Sequence, residues 1–191
     1  MTPRLETARL LLVPLELADA DQVQRRFAQW EIVRYLNVLV PWPYPSDGAL
    51  TYIRDQALPA IARGELWYWT LRLKTESEQI IGAITLSTRE EENRGFWLDP
   101  RLRRRGLMME ACDTVTDYWF EVLERPVLRA PKAVANEASR RISVKQGMRI
   151  VSREPRDYVC GRLPSETWEI TAEEWRRRKR ERPTGWSASL P

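Results

Sequence analysis

Apolar and polar positions along this chain repeatedly change period, and each change marks an element boundary. The run Arg9-Leu10-Leu11-Leu12-Val13-Pro14 predicts a first strand stopped by proline, and Asp19 is placed to cap a helix from about Ala20 to Ala28. Trp30 to Ser46 holds Trp30, Tyr35, Trp42 and Tyr44, interrupted by Pro41, Pro43 and Pro45, which predicts an aromatic loop without a helix. Such a loop is either a core plug or a wall of a cleft, and large aromatics bury well enough to favour the plug. Ser46 or Asp47 can cap a second helix running to about Arg63, kinked at Pro59 and stopped by Gly64. Leu66 to Lys74 and Ile80 to Ser87 flank the polar turn Thr75-Glu76-Ser77-Glu78 and read as an antiparallel hairpin. The polar connection Thr88 to Asn93 then leads into a strand at Arg94 to Leu98.

Helical spacing returns from Leu107 to Leu123, with Met108, Ala111, Cys112, Val115, Trp119 and Val122 on one broad apolar face. Val127 to Val134 reads as a strand despite Pro131, which suits an edge or a point where strands part. A short helix opens at Asn136 and is stopped after Gln146 by Gly147. Ile150 to Cys160 and Glu166 to Thr171 form a last hairpin, and a basic helix spans 172–182. This order predicts a single α/β (α+β) domain over residues 1–182, with a mixed, mostly antiparallel sheet of about seven strands and helices on both faces. Residues 183–191 are expected to be a disordered tail.

Composition narrows the chemistry more than the architecture. The 191 residues fit one domain, no apolar run approaches the roughly 20 residues that span a bilayer, and the start lacks a signal-peptide pattern. A cytoplasmic protein without membrane association is expected. There is no histidine, and Cys112 and Cys160 stand far apart, so the usual zinc sites and His-based nucleophilic dyads cannot be built and no metal is expected. Any general base must be a carboxylate, a water chain or something more basic. Cys112 reads as a packing residue on the apolar helix face. Net charge is +4, but six basic residues (Arg176, Arg177, Arg178, Lys179, Arg180, Arg182) face three acidic ones (Glu173, Glu174, Glu181) from Ala172 onward. That tail holds +3 and leaves the body with +1. The basic tail and the arginines at 101 to 105 keep open a binding role toward RNA or another polyanion.

The stretch Phe96 to Ala111 carries the most specific signal. Strand Phe96 to Leu98 ends at Asp99-Pro100, a turn with Arg103, Arg104, Arg105 and Gly106 follows, and a helix begins near Leu107. Helix N-termini present unpaired N–H groups and the positive end of the dipole, so this turn can hold an anion. Alone it is equally a solvated arginine turn. Arg103-x-x-Gly106-x-Met108 resembles the R/Q-x-x-G-x-G/A pyrophosphate loop of the GNAT N-acetyltransferase superfamily. Gly95-Phe96-Trp97-Leu98 and Met109-Glu110-Ala111 resemble the flanks found in its ribosomal-protein N-terminal (RimJ/RimL-like) branch. Two departures stand out: Arg104 sits where a second glycine is common, and Met108 replaces a small residue. Asn136-x-x-Ser139 followed by Lys145-x-Gly147-Met148 is similar to the family's N-x-x-S…K-x-G-F signature, although Asn136 is also a plain N-cap candidate.

The resemblance implies acetyl-CoA as co-substrate and an amine acceptor, most naturally a protein or peptide α-amino group, with a small-molecule amine as the alternative. It assigns the pyrophosphate to Arg103, Arg104, Arg105, Gly106, Leu107 and Met108, and the pantetheine arm to backbone at Phe96, Trp97 and Leu98, between strands that part. Asn136 and Ser139 complete the donor site. Many relatives protonate the departing thiolate with a tyrosine whose matching position here is Ser143; in the ribosomal branch the N-x-x-S serine, Ser139, can serve, and a structural role for Ser139 is weighed equally. For the base, Glu92, with Glu90 and Glu91, precedes the cofactor strand, and Glu137 is a second candidate. An amine that enters already neutral needs none. Either a monomer or a homodimer is compatible with all of this.

Overall fold

Strand β3 (Leu66–Leu73) reads Leu-Trp-Tyr-Trp-Thr-Leu-Arg-Leu, nearly continuous in apolar residues because both of its faces are covered. The computed structural model, which describes residues 2–181, places Trp67, Trp69 and Leu71 in one core and Tyr68 in another. Around β3 the strands β1 (Leu5–Glu6), β2 (Leu10–Pro14), β4 (Gly82–Ser87) and β5 (Arg94–Leu98) pair in sequence order, every ladder antiparallel. On one face lie helix α1 (Ala20–Phe27), the single turn α2 (Trp30–Val33), and α3 (Gly48–Tyr52) continuing into α4 (Leu58–Ala62). On the other lies α5 (Leu107–Asp117), extended by a wider turn over Tyr118–Val122. Met108, Ala111, Cys112, Val115 and Trp119 of this helix fill the larger core.

A second sheet has the order β6 (Val127–Ala133), β10 (Ser165–Thr171), β7 (Arg149–Arg153). Helix α6 (Glu137–Lys145) connects β6 to β7, and α7 (Ala172–Glu181) follows β10, burying Trp175 in the larger core. The strands β8 (Arg156–Tyr158) and β9 (Gly161–Leu163) form a separate ribbon. Pro131 lies on β6, an edge strand paired among the described residues with β10 alone, where its missing N–H costs no ladder bond.

The two sheets meet at Asn93. Its N–H donates to the Arg129 carbonyl at 2.8 Å and its Oδ1 accepts from the Arg129 N–H at 2.7 Å. Its Nδ2 also donates to the carbonyl of Arg89 at 2.6 Å. Beyond this clamp no ladder joins β5 to β6 among the described residues.

Several expectations are corrected. Trp30–Val33 is helical, since the prolines that forbid a helix begin only at Pro41. Asp19 lies inside a short 3₁₀ turn, Leu17–Asp19, ahead of α1, accepting from the Glu16 N–H and from Arg72 instead of capping the helix. The helix expected from residue 47 to Arg63 is interrupted by a wide turn, Ile53–Ala57, just ahead of Pro59, whose ring and absent N–H disturb the ladder there. Ile150 to Cys160 is two strands, because Pro155 ends β7's pairing and redirects the chain into the ribbon. Among the described residues the two sheets together hold eight strands, against the about seven expected, with two more in the ribbon. Of the basic helix expected over 172–182, residue 182 lies outside the described residues, as does the tail 183–191.

Asn93→Ala removes the side-chain partner of the part-buried Arg129 N–H and of the Ser87 and Arg89 carbonyls, so it is expected to lower stability by about 1 kcal/mol, read as a shift in the urea midpoint at unchanged slope.

Candidate active site

The turn between β5 and α5 is held from beneath. Asp99, 1% exposed, accepts from the Arg101 N–H at 3.0 Å and from the Arg101 and Arg26 guanidinium groups at 2.7 and 2.6 Å. The Arg101 hydrogen bonds, with Arg26 behind them, hold this carboxyl well below the usual carboxylate range. Beyond a 3₁₀ turn at Pro100–Leu102 the backbone enters the left-handed region twice, at Arg104 with φ +64° and at Gly106 with φ +79°. Gly106 is the N-cap of α5, and no side chain caps that helix among the described residues. The first N–H groups of α5 therefore face outward at the positive end of an eleven-residue helix.

Arg9, which the sequence reading missed, completes this turn. Its Nε donates to Glu110 in the first turn of α5 at 2.8 Å, and its Nη1 donates to the Arg105 carbonyl at 2.9 Å. Glu110 is buried, which pushes its carboxyl up, but hydrogen bonds from Thr7 and Arg9 outweigh burial and hold it down. A Cβ built on Gly106 would lie 3.4 Å from Arg9 Nη2. The set fits a pyrophosphate: outward N–H groups, a glycine where backbone approaches closely, and half of the Arg9 side chain exposed beside it. Arg104 and Arg105 are exposed on the same turn, whereas Arg103 reaches away and donates to the Glu31 carbonyl of α2 at 2.9 Å. Leu107 and Met108 are buried beneath the turn, so of their groups only backbone can meet a ligand.

Toward β6 the edge of β5 is open. Trp97 faces the helix α1 side, its ring edge-on to Phe27, while Phe96 and Leu98 pack toward α5. The side of Phe96, Trp97 and Leu98 away from β4 has no strand partner among the described residues, and this is the gap a pantetheine arm needs. Lys132 of β6 closes the bottom of that gap. It is 5% exposed, with Nζ 5.6 Å from the centre of the Phe96 ring. Burial, and then the charge of Arg94, lower its pKa to about 7. Around it lies a buried polar layer: Arg94 donates to Thr116 Oγ1 at 2.8 Å, and Gln146 Nε2 to Asp113 at 2.8 Å. Arg94 Nε, Ser143 Oγ and Gln146 Oε1 are buried there without hydrogen-bond partners. Cys112, fully buried on α5, has its thiol pushed up to about 11 by desolvation, as a packing residue would.

Asn136 caps α6 through its side chain, which accepts from the Ser139 N–H at 3.3 Å; Ser139 is buried one turn into the helix. The acidic candidates are dispersed. Glu137 pairs with Arg141 on the exposed face of α6, Glu91 with Arg129, and Glu90 is exposed. Glu92 is half-buried between Arg89, Arg156 and Asn37, where the aromatic loop bridges to Tyr158 of β8. The Trp30 and Trp42 rings pack 5.4 Å apart and tilted by 46° on the outside of that loop, while Tyr44 packs on Phe27 within the core, so plug and wall are both present. The basic helix α7 spends cations on the body: Lys179 on Asp117, Arg176 on Glu121, and Arg178 on the Lys145 carbonyl.

Two stability effects follow. Arg104→Gly relieves a left-handed conformation that a side chain disfavours, and is expected to raise stability by about 1 kcal/mol in thermal or urea unfolding. Lys132 binds its proton up to about pH 10.5 when unfolded but loses it near 7 when folded, so the unfolded state holds more protons in between. The urea midpoint is therefore expected to rise from about pH 7 toward 10, and Lys132→Met to flatten that rise.

Residues 9–149 match the family model described as acetyltransferase (GNAT) domain. No curated protein matches this sequence. Among solved structures the chain is similar to a GNAT-family acetyltransferase from Bacillus anthracis, at 17% identity and TM-score 0.75, over 90% of this chain and 100% of that one. It is similar to the ribosomal-protein-S5-alanine acetyltransferase of Vibrio fischeri, at 16% and 0.73, over 91% and 98%. It is also similar to Mycobacterium smegmatis RimJ in complex with CoA-disulfide, at 17% and 0.73, over 90% and 87%. At such identities the structures speak for the fold, and the family match, which spans most of the chain and contains the turn at Gly106, speaks for descent: this protein belongs to the GNAT acetyltransferase family.

Proposed function

We propose that the protein transfers the acetyl group of acetyl-CoA to the α-amino group of a protein or peptide. The observation that carries the donor half is the uncapped N-terminus of α5, with left-handed Arg104 and Gly106, placed directly after a strand whose edge is open toward β6. The protein-acceptor half is supported by the similar structures named as ribosomal-protein acetyltransferases and by the exposed Trp30 and Trp42 pair, a surface suited to a peptide. No helix among the described residues is long and apolar enough to cross a membrane, which fits a peptide acceptor met in water.

Acetyl-CoA would supply an activated acyl group that needs no metal. Backbone N–H groups of Leu107 and Met108, with Arg9 and the exposed Arg104 and Arg105, hold its pyrophosphate. Arg103 stands farther back, as a positive charge at the junction with α2. The open edge of β5 at Phe96 to Leu98 aligns the arm, converting an encounter into an oriented reaction. Asn136 shapes the start of α6 beside it, and Ser139 presents a hydroxyl to the donor site. Glu92, which accepts from Asn37 of the aromatic loop, would draw a proton from an entering ammonium through water.

The test is thermal shift with CoA and acetyl-CoA against NAD and ATP, followed by thiol release with peptides beginning in alanine or serine and with small amines. Stabilisation by CoA compounds alone and turnover of peptides over small amines are expected; turnover confined to small amines would overturn the protein-acceptor reading. Gly106→Glu is expected to abolish CoA binding by bulk and like charge, whereas Ser139→Ala, which keeps the N–H that Asn136 caps, is expected to bind normally and turn over more slowly. Wild-type CoA affinity in the Gly106→Glu variant would remove the loop from the donor site.

A further inference from the structure

Lys132 is a charged group set where a structural residue would be apolar. Along β6 the side chains of Leu128, Ala130 and Lys132 share one face, and their register partners Ile170, Trp168 and Glu166 share it too. Leu128, Trp168 and Ile170 belong to the core beneath α5, so Lys132 emerges on the α5 side, between that helix and the open edge of β5. Phe96 of β5 lies under its ammonium at 5.6 Å.

The charged and titratable groups around it come from every neighbouring element. Arg94 from β5 and Cys112 from α5 act on it directly, Glu166 of β10 is its cross-strand register partner, and Asp113 of α5 acts on Cys112. Glu166 is engaged by Arg140 of α6 at 2.8 Å and by Arg153 of β7, and Asp113 accepts from Gln146. The Lys132 ammonium makes no hydrogen bond or ion pair among the described residues, although its backbone carbonyl accepts from Ser165 Oγ at 3.0 Å; the ammonium meets the Phe96 ring. A buried ammonium without a counterion is costly, and Ser143 Oγ and Arg94 Nε are also buried without hydrogen-bond partners, so polar groups beyond Lys132 are left for a ligand or water to satisfy.

We propose that Lys132 is the acid that protonates the coenzyme A thiolate as the acetyl group leaves it, an assignment that rests on the donor-site reading above. The thioester C–S bond breaks with its electron pair on sulfur, and a proton passes from Lys132 Nζ to sulfur. The nitrogen that has gained the acetyl group loses its surplus proton to water, and Lys132 is reprotonated from solvent, so charge and atoms balance. A pKa of about 7 makes transfer to a thiolate, whose acid form titrates near 8.5, downhill. The ammonium over Phe96 also offsets the negative charge developing on sulfur in a dry cleft.

The variants are Lys132→Met and Lys132→Arg, the second keeping charge but giving up no proton near neutrality. Both are expected to lose about 100-fold in kcat with peptide acceptor while their Kd for CoA stays within about threefold of wild type. The wild-type kcat is expected to fall as pH rises past the Lys132 pKa in the complex, and this falling limb to vanish in both variants. Independently of turnover, the side-chain signal of Lys132 in ¹⁵N-lysine-labelled protein, identified by its loss in Lys132→Met, is expected to titrate near 7 and to move upward on adding CoA. A Lys132→Met enzyme within about threefold of wild type with the same limb, or a Lys132 signal indifferent to CoA, would overturn the assignment. A wild type that binds CoA and turns over, beside such a variant, removes Lys132 alone; a wild type that does not bind CoA removes the donor-site reading as well.

Discussion

Backbone hydrogen bonding is an obligation, and the protein is organised around one place where it is left unmet. An open strand edge inside a fold invites closure by a neighbouring strand. Here β6 is brought to β5 at Asn93 and then carried away into a separate sheet. The clamp uses the backbone and the side-chain amide of one residue against both polar groups of Arg129, which fixes where the strands meet and so where they part. The N–H and C=O groups exposed in that gap are a template for an extended, amide-bearing chain.

The turn at Arg104 and Gly106 has the same character, being strained locally and supported from outside. Left-handed backbone at an arginine is unfavourable, and the N–H groups of α5 are left without a cap. What holds the turn is an ionic frame built from distant parts of the chain: Arg26 on buried Asp99 below, and Arg9 between Glu110 and the Arg105 carbonyl beside it. Both acids are held ionised, so the frame persists across the neutral range. The open edge and the strained turn lie in succession along one strand–turn–helix, so a single extended ligand can satisfy both.

The sequence was most legible where local chemistry decides the outcome. Gly64 and Gly147 mark left-handed stops, Gly106 a left-handed start to α5, Asn136 marks a cap, and the meander over residues 66–98 follows from alternation and polar turns. It was least legible where partners are far apart in the chain. Nothing local reveals that Arg9 meets Glu110, or that Arg103 bends toward Glu31 while its neighbours stay at the turn. Pro155 is a plain breaker in the sequence, yet its consequence, one long strand becoming a strand and a ribbon, depends on β10 pairing with β7 while β8 pairs with β9. Asp19 fits the composition of a cap but is drawn to Arg72, fifty-three residues away.

Lys132 shows the same limit in its sharpest form. In sequence its strand, Val127–Ala133, carries two charged residues, Arg129 and Lys132, and nothing in that pattern sets Lys132 apart as the buried one. Its depth is set by register with β10 and by α5 crossing above, neither of which local pattern encodes. A chain without histidine has few groups able to exchange a proton near neutrality. Desolvation supplies one by another route: burying a lysine next to a second cation brings an ordinarily inert ammonium into that range. The fold thus makes from position what the composition lacks, at the point where the two sheets separate.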